Sequence, residues 1–114
     1  MARRRRSKTS ARLVGAAPLF AALGDEHRLR LVSRLCAGGP MSITMLTEGS
    51  NVTRQGITKH LRVMEKAGLV NCTRRGRESV WQVDQRNVAE AQRYLEQISR
   101  QWDEAVARLQ AFVE

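Results

Sequence analysis

The spacing of the apolar residues predicts a mainly helical protein. Two runs of apolar residues, one on each side of Asp25, recur at the three- and four-residue intervals of an α-helix. The first run comprises Leu13, Ala17, Phe20 and Leu23, and the second comprises Leu29, Val32, Leu35 and Cys36. Asp25 is placed to cap the second helix, and Pro40 prevents its continuation. The chain is therefore expected to begin with two short helices joined by a tight turn.

The middle of the chain contains a second pair of predicted helices. Ser42 is a cap candidate for a short third helix, which the turn-forming residues 48–51 would end. Thr53 is a cap candidate for a fourth helix, and Gly68 predicts a left-handed C-cap at its end. The core-facing residues of this fourth helix are Ile57, Leu61 and Met64. A short helix, a tight turn and a longer helix follow one another here.

Beyond Gly68 the pattern changes to a β-hairpin and then to a long helix. Residues 69–73 and 79–83 are β-prone and flank a basic tip centred on Gly76. From residue 87 the chain is predicted to be helical, with an apolar stripe over about six turns. The stripe comprises Ala91, Leu95, Ile98, Trp102, Val106, Leu109 and Val113. Such a stripe is long for a domain whose core is already closed, so it predicts a partner helix.

Charge is distributed unevenly along the 114 residues, which carry a net charge of +9. Residues 1–12 contain six cationic residues and no acid, and we expect them to form a disordered basic tail ahead of a single domain, residues 13–114. Residues 53–78 contain seven cationic residues and two acids, whereas residues 84–114 contain four and six. Residues 53–78 therefore suit contact with a polyanion, whereas residues 84–114 suit a separate assembly surface.

The third and fourth predicted helices have the layout of a helix-turn-helix, with a cationic outer face on the second of the two. An α-helix fits the major groove of B-DNA, where Arg, Gln and Thr can contact base edges. The candidates for base reading are Thr53, Arg54, Gln55 and Thr58, and those for phosphate contacts are Lys59 and Arg62. The hairpin would lie along the adjacent backbone or minor groove as a wing, through Arg74, Arg75 and Arg77.

Residues 16–83 resemble the ArsR family of winged-helix repressors. The most specific part is the segment Ile-Thr-Lys-His-Leu at 57–61, followed by Ala-Gly-Leu-Val at 67–70. The resemblance implies a homodimer of about five helices and a two-stranded wing (residues 69–83), joined through the first and last helices (the latter residues 87–113). Such a dimer would bind a palindromic operator and repress transcription. The dimer-interface residues implied are Leu13, Phe20, Tyr94, Leu95, Ile98, Trp102, Val106 and Leu109.

Many members of this family sense metals, but the residues needed are missing here. The third predicted helix contains no Cys, His or Asp, and residues 87–114 contain no His, whereas soft-metal and zinc sites need several thiolates or imidazoles. His27 is expected to be structural, and His60 is included among the DNA contacts. We therefore expect no metal and no cofactor, and an effector of unspecified chemistry remains open.

The two cysteines, Cys36 and Cys72, lack CxxC spacing and are expected to be reduced, partly buried thiols. A thiol- or metal-responsive regulator of the same family is therefore an alternative rather than the main prediction. Neither residue has an evident activating environment beyond the nearby Arg74.

The function predicted is that of a cytoplasmic, sequence-specific regulator that binds double-stranded DNA. No apolar run is long enough for a membrane span, and no nucleophile with a base or paired carboxylate predicts an enzyme. An RNA-binding or ribosome-associated winged-helix protein is a second alternative, since phosphate attraction does not distinguish RNA from DNA. The predicted dimer stripe and an aromatic content of 4% argue against it.

Overall fold

The computed structural model describes the backbone of residues 8–113 and the side chains from Ala16 onward. These residues form five helices and a three-stranded antiparallel sheet of order β1-β3-β2. The helices are α1 (Lys8–Leu23), α2 (Glu26–Gly38), α3 (Ile43–Thr47), α4 (Arg54–Ala67) and α5 (Gln85–Val113). The strands are β1 (Met41–Ser42), β2 (Val70–Arg75) and β3 (Glu78–Val83). The predicted fold class, mainly α with a small β-hairpin, is confirmed.

The predicted helix ends are confirmed by side-chain and backbone geometry. Asp25, Ser42 and Thr53 are N-caps whose side-chain oxygens accept the backbone N–H groups of His27, Met45 and Gly56 at 2.9, 3.2 and 3.1 Å. Gly68 ends α4 with φ of 90°, a left-handed conformation that favours glycine. These four residues therefore set the starts of α2, α3 and α4 and the end of α4.

The cap at Asp25 predicts a stability contribution that depends on pH. The backbone N–H of Arg28 is the main cause that lowers the pKa of Asp25, and the N–H of His27 adds to it against an opposing desolvation. The contribution is present above the unfolded-state pKa and is lost as the pH falls through the lowered folded-state pKa. Asp25→Asn keeps the capping acceptor without the charge, so its unfolding free energy should fall less than that of the parent between about pH 7 and about pH 3. Urea denaturation at both pH values measures this, and equal losses would contradict it.

The sheet contains one strand more than the two-stranded wing predicted. Strand β1 pairs with β3 through Met41 opposite Trp81 and Ser42 opposite Val80. Two residues are too few to show the alternation of a strand, and their partner lies far along the chain. At the other end of β3, Arg75 pairs with Glu78 across a turn in which Gly76 has φ of 62°. The wing is therefore a tight hairpin, with its base anchored by β1.

Helix α1 begins at Lys8, five residues before the expected start at Leu13. Residues 8–12 are thus helical rather than part of a disordered tail, because Lys, Ala and Arg favour helix even without an apolar stripe. The expectation for residues 1–7 lies outside the described residues.

The first two helices bury faces that are shifted from the predicted ones. Helix α1 buries Ala16, Leu19 and Ala22, whereas Phe20 and Leu23 lie at the edge of the core. Helix α2 buries Leu31 and Leu35, and Leu29 is 54% exposed. Spacing alone indicates several overlapping faces in a short helix, so the face that packs depends on the neighbouring elements.

The core lies between the helices and the inner face of the sheet. Its most deeply buried members are Leu35, Leu46, Ile57, Leu61, Met64, Leu69, Val70 and Trp81, each less than 2% exposed. The end of α4 is joined to the start of α5, since the Asn87 side-chain amide donates to the Gly68 carbonyl at 2.8 Å. Among the described residues, no helix combines the length and the apolar composition needed to cross a membrane.

Candidate nucleic-acid interface

Helix α4 has one buried face and one exposed polar face. Ile57, Leu61 and Met64 are at most 1% exposed, which directs the opposite side of the helix to the solvent. The outer row of α4, as we call this side, comprises Gln55, Lys59, Arg62 and Lys66, all exposed. Within the described part of the chain, neither Gln55 nor Lys59 has a hydrogen-bond or ion-pair partner. Both side chains are therefore available to a ligand.

The predicted base-reading residues at the start of α4 do not all point outward. The Thr53 hydroxyl caps the helix, and the Thr58 hydroxyl donates to the Arg54 carbonyl at 2.9 Å. The Arg54 guanidinium reaches across to α3, where it lies 3.4 Å from the Thr44 hydroxyl. Of the four candidates, Gln55 is the one that belongs to the outer row, and Arg54 lies on the flank towards α3.

Arg62 connects the outer row to the sheet. Its guanidinium pairs with Glu65 at 2.9 Å and lies 5.3 Å from the centre of the Trp81 ring. An arginine held over an aromatic face is attracted by the ring electrons and has a restricted position. Arg62 is 62% exposed, so it can exchange its contact with Glu65 for a phosphate without leaving the ring.

The three wing arginines, Arg74, Arg75 and Arg77, are all exposed at the tip of the β2–β3 hairpin. A crevice of about 230 Å³ lies between the tip of this wing and the helices α3 and α4. Arg54 lines the crevice from α4, and Arg77 lines it from the wing. The structure therefore brings the start of α4 and the wing to adjacent positions, as a helix and wing that share one duplex require.

His60 lies apart from the outer row. Its ring centre is 5.6 Å from that of His27, and its Nδ1 is 3.5 Å from a guanidinium nitrogen of Arg28. It follows Ile57 by three residues, a rotation that takes its side chain to the flank of α4 facing α2. This position favours a structural role for His60, beside His27 and Arg28, over the predicted DNA contact.

The predicted dimer residues divide between the core and the surface. Tyr94 is 6% exposed and packs on Phe20 of the same protomer, with 6.2 Å between the ring centres, so Tyr94 offers little surface to a partner. The predicted position of Leu13 at the interface lies outside the described side chains. The remaining residues lie on an exposed surface, the α5 apolar face, formed by Leu95, Ile98, Trp102, Val106, Leu109, Phe112 and Val113. Phe112 was missed, although it lies at helical spacing from Leu109.

The cysteines and histidines do not assemble into a metal site. Cys36 is exposed on α2, which corrects the expectation of partial burial, and Cys72 is half-buried on β2 opposite Trp81. Within residues 8–113 no three side chains of His, Cys, Asp or Glu converge as ligands of one ion would.

The α3-turn-α4 unit with the adjacent β2–β3 wing defines a protein of the winged helix-turn-helix class. Residues 23–73 match the family model of a helix-turn-helix domain. Over 68 residues the chain is 37% identical to the HTH-type transcriptional regulator YuzN of Bacillus subtilis, a match that covers 54% of this chain and 74% of YuzN. Two further comparisons identify the family within this class.

An ArsR-like transcriptional regulator from Rhodococcus sp. RHA1 superposes with a TM-score of 0.74 and 31% identity, covering 91% of this chain and 97% of that one. The arsenical resistance operon repressor of Bacillus subtilis is 30% identical over 69 residues, which are 60% of this chain and 66% of the repressor. The protein therefore belongs to the ArsR family of winged helix-turn-helix transcriptional regulators, which confirms the resemblance identified in the sequence.

Proposed function

We propose that the protein is a repressor that binds a palindromic operator in double-stranded DNA as a homodimer, in the cytoplasm and by binding rather than catalysis. The observation that carries this proposal is the placement of the outer row of α4 beside the arginine-tipped wing. Both surfaces are exposed, and residues 53–78, which contain them, carry a net charge of +5. The repressor named among the relatives supports the direction of regulation.

In the proposed complex, α4 enters the major groove with its exposed side toward the bases. Gln55 lies near the N-terminal end of the helix and can make bidentate contacts to adenine. Lys59 and Arg62 follow on the same side at positions that suit phosphate contacts. Arg74, Arg75 and Arg77 would grip the neighbouring backbone, so that helix and wing have separate tasks.

The homodimer is supported by the α5 apolar face. Trp102 is 70% exposed and Leu109 is 64% exposed, and a contiguous apolar surface of this kind marks an interaction site. The protomer is also extended, with a Cα radius of gyration of 18.3 Å against about 13 Å for a compact chain of this length. A two-fold partner would cover the face with an identical one, and Leu13 and Phe20 of α1 would adjoin it.

Selection of bound duplexes from a random DNA library tests the proposal. A two-fold dimer should recover an inverted repeat whose half-sites are separated by about one helical turn or a multiple of it. Recovery of unrelated single sites, or tighter binding to single-stranded RNA than to any duplex, would instead favour the RNA-binding alternative.

Two alanine substitutions should separate base reading from backbone contact. Gln55→Ala is expected to cost about 1–3 kcal/mol at the selected site and to relax the sequence preference, because a base contact is lost. Arg75→Ala is expected to weaken all duplexes similarly and to make the salt dependence shallower by about one unit, because a phosphate contact is lost. Fluorescence anisotropy with cognate and scrambled duplexes at several salt concentrations measures both effects.

A suitable control is Arg100→Ala, which removes an exposed arginine from α5 on the side away from the apolar face. It should leave both the affinity and the salt dependence close to those of the parent. If Gln55→Ala and Arg75→Ala also behave like the parent, the assignment of the reading surface is wrong.

A further inference from the structure

A second cationic site lies on the other flank of α4, away from the wing. It is a cavity of about 140 Å³ between α2, the turn before α4 and α4 itself. Helix α2 contributes His27, Arg30 and Arg34, the turn contributes residues 49–52, and α4 contributes His60. We call it the α2–turn cavity. The proposed DNA interface uses none of these four side chains, since the placement of His60 argues against the predicted DNA contact.

The lining of the α2–turn cavity favours an anion. Two guanidinium groups and two imidazoles converge on it, and none of its lining residues is acidic. Two carboxylates lie beside the lining: Asp25 accepts the backbone N–H of His27 at 2.9 Å, and Glu26 pairs with Arg30 at 2.6 Å, where both side chains are about 70% exposed. Exposed pairs of this kind contribute little free energy, so Arg30 can turn from Glu26 to an anion in the cavity at small cost.

Arg34 is held in place for such a contact. Its guanidinium donates to the carbonyls of Leu46 at 2.7 Å and of Met45 at 3.0 Å. A guanidinium has five N–H donors, so these two bonds leave others of the same rigid group for a ligand. The floor of the cavity is apolar, formed by the buried Leu31 and Ile57, and this excludes water from one side of the charges.

From this geometry we infer that the α2–turn cavity binds a small oxyanion, a phosphate or a compact carboxylate. Its volume of about 140 Å³ is close to the roughly 150 Å³ of an engineered protein cavity that holds benzene, so it admits a ligand of about that size. Residues 49–52 lead directly into Thr53, the N-cap of α4, so an anion that bridges α2 and the turn sets the position of the helix that contacts DNA. The regulatory consequence rests on the proposed function, whereas the binding itself does not.

Inorganic phosphate added to the full chain without DNA tests the binding. Amide resonances are followed by nitrogen-15 NMR at constant ionic strength, with chloride as the exchanged anion. Binding in the cavity should shift the amides of residues 49–52 along a saturable curve and leave those of α5 unchanged. Shifts that grow linearly with phosphate, or that saturate only at the wing arginines 74, 75 and 77, would overturn the inference.

Arg30→Gln provides the matched variant, since it removes one guanidinium from an exposed position and keeps the side chain polar. It should weaken phosphate binding by about tenfold, the value expected for one charge-assisted hydrogen bond. The control is Arg93→Gln, an exposed arginine of α5 that pairs with Glu90 at 2.6 Å, and it should change nothing. Equal phosphate affinities for the two variants would refute the assignment to this cavity.

A duplex titration separates a free anion from a backbone phosphate of DNA. If the cavity holds a free anion, phosphate should alter duplex binding by the parent more than by Arg30→Gln at constant ionic strength. If Arg30→Gln instead weakens every duplex and phosphate shows no saturable binding to the protein alone, the cavity belongs to the DNA interface and the inference is wrong. If the parent protein binds phosphate saturably but binds no duplex, the proposed function is wrong and the inference of an anion site is retained.

Discussion

Replacing Trp102 by Arg is expected to convert the protein to a monomer and to reduce its operator affinity at least about a hundredfold. In a two-fold dimer the substitution occurs twice, and each copy removes about 2–3 kcal/mol of apolar burial and places a charge in an apolar contact. Trp102 is 70% exposed in the protomer, so the protomer should remain folded. Sedimentation velocity measures the mass, and circular dichroism measures the helix content.

Ala107→Arg is the matched control for this experiment. Ala107 is exposed on the side of α5 away from the apolar face, and the substitution introduces the same residue into the same helix. It should leave a dimer of normal affinity. A dimer that persists in Trp102→Arg, or monomers produced equally by Ala107→Arg, would remove the α5 apolar face as the interface.

The second large effect is expected at the other tryptophan. Trp81→Ala should lower the free energy of unfolding by about 3–5 kcal/mol, because Trp81 is 1% exposed and its removal leaves a large cavity. Trp81 is on the central strand β3, paired with Met41 of β1 and Cys72 of β2, and its ring contacts Arg62 of α4, so its loss should loosen the wing from α4. Urea denaturation followed by circular dichroism measures the loss, at one protein concentration because the proposed dimerisation would contribute to stability.

Trp81→Phe tests whether packing is the cause. The buried indole N–H has no hydrogen-bond partner among the described residues, and phenylalanine removes that donor while keeping an aromatic ring. The cost should therefore be clearly smaller than that of Trp81→Ala. A loss as large as that of the alanine variant would mean that the indole is needed for something other than filling the core.

The helix limits were predictable because their causes are local. Asp25, Ser42 and Thr53 bond to backbone groups two or three residues ahead, and Gly68 supplies its own backbone conformation. Strand β1 was not predictable in this way, since its pairing depends on β3, which follows it by more than thirty residues. Local signals thus describe the ends of elements better than their long-range partners.

The candidate site shows the same division. The outer row of α4 follows from helical periodicity once Ile57, Leu61 and Met64 are assigned to the core. The positions of His60 and Arg62 depend on contacts with α2 and Trp81, which the periodicity of α4 does not contain. Tyr94 was assigned to the dimer from the family resemblance, whereas its burial depends on a contact with Phe20 of α1, which the sequence of α5 does not contain.

The hydrogen bonds that join the end of α4 to the start of α5 would affect how a dimer matches the spacing of its operator half-sites. The Asn87 side-chain amide donates to the Gly68 carbonyl at 2.8 Å, and the backbone N–H of Asp84 donates to the Leu69 carbonyl at 2.8 Å. In the proposed dimer, each α4 would therefore be coupled through these two hydrogen bonds to the α5 helix at the two-fold axis. A change in the angle at which two copies of α5 cross would then change the distance between the two copies of α4. That distance would select the spacing of the two operator half-sites.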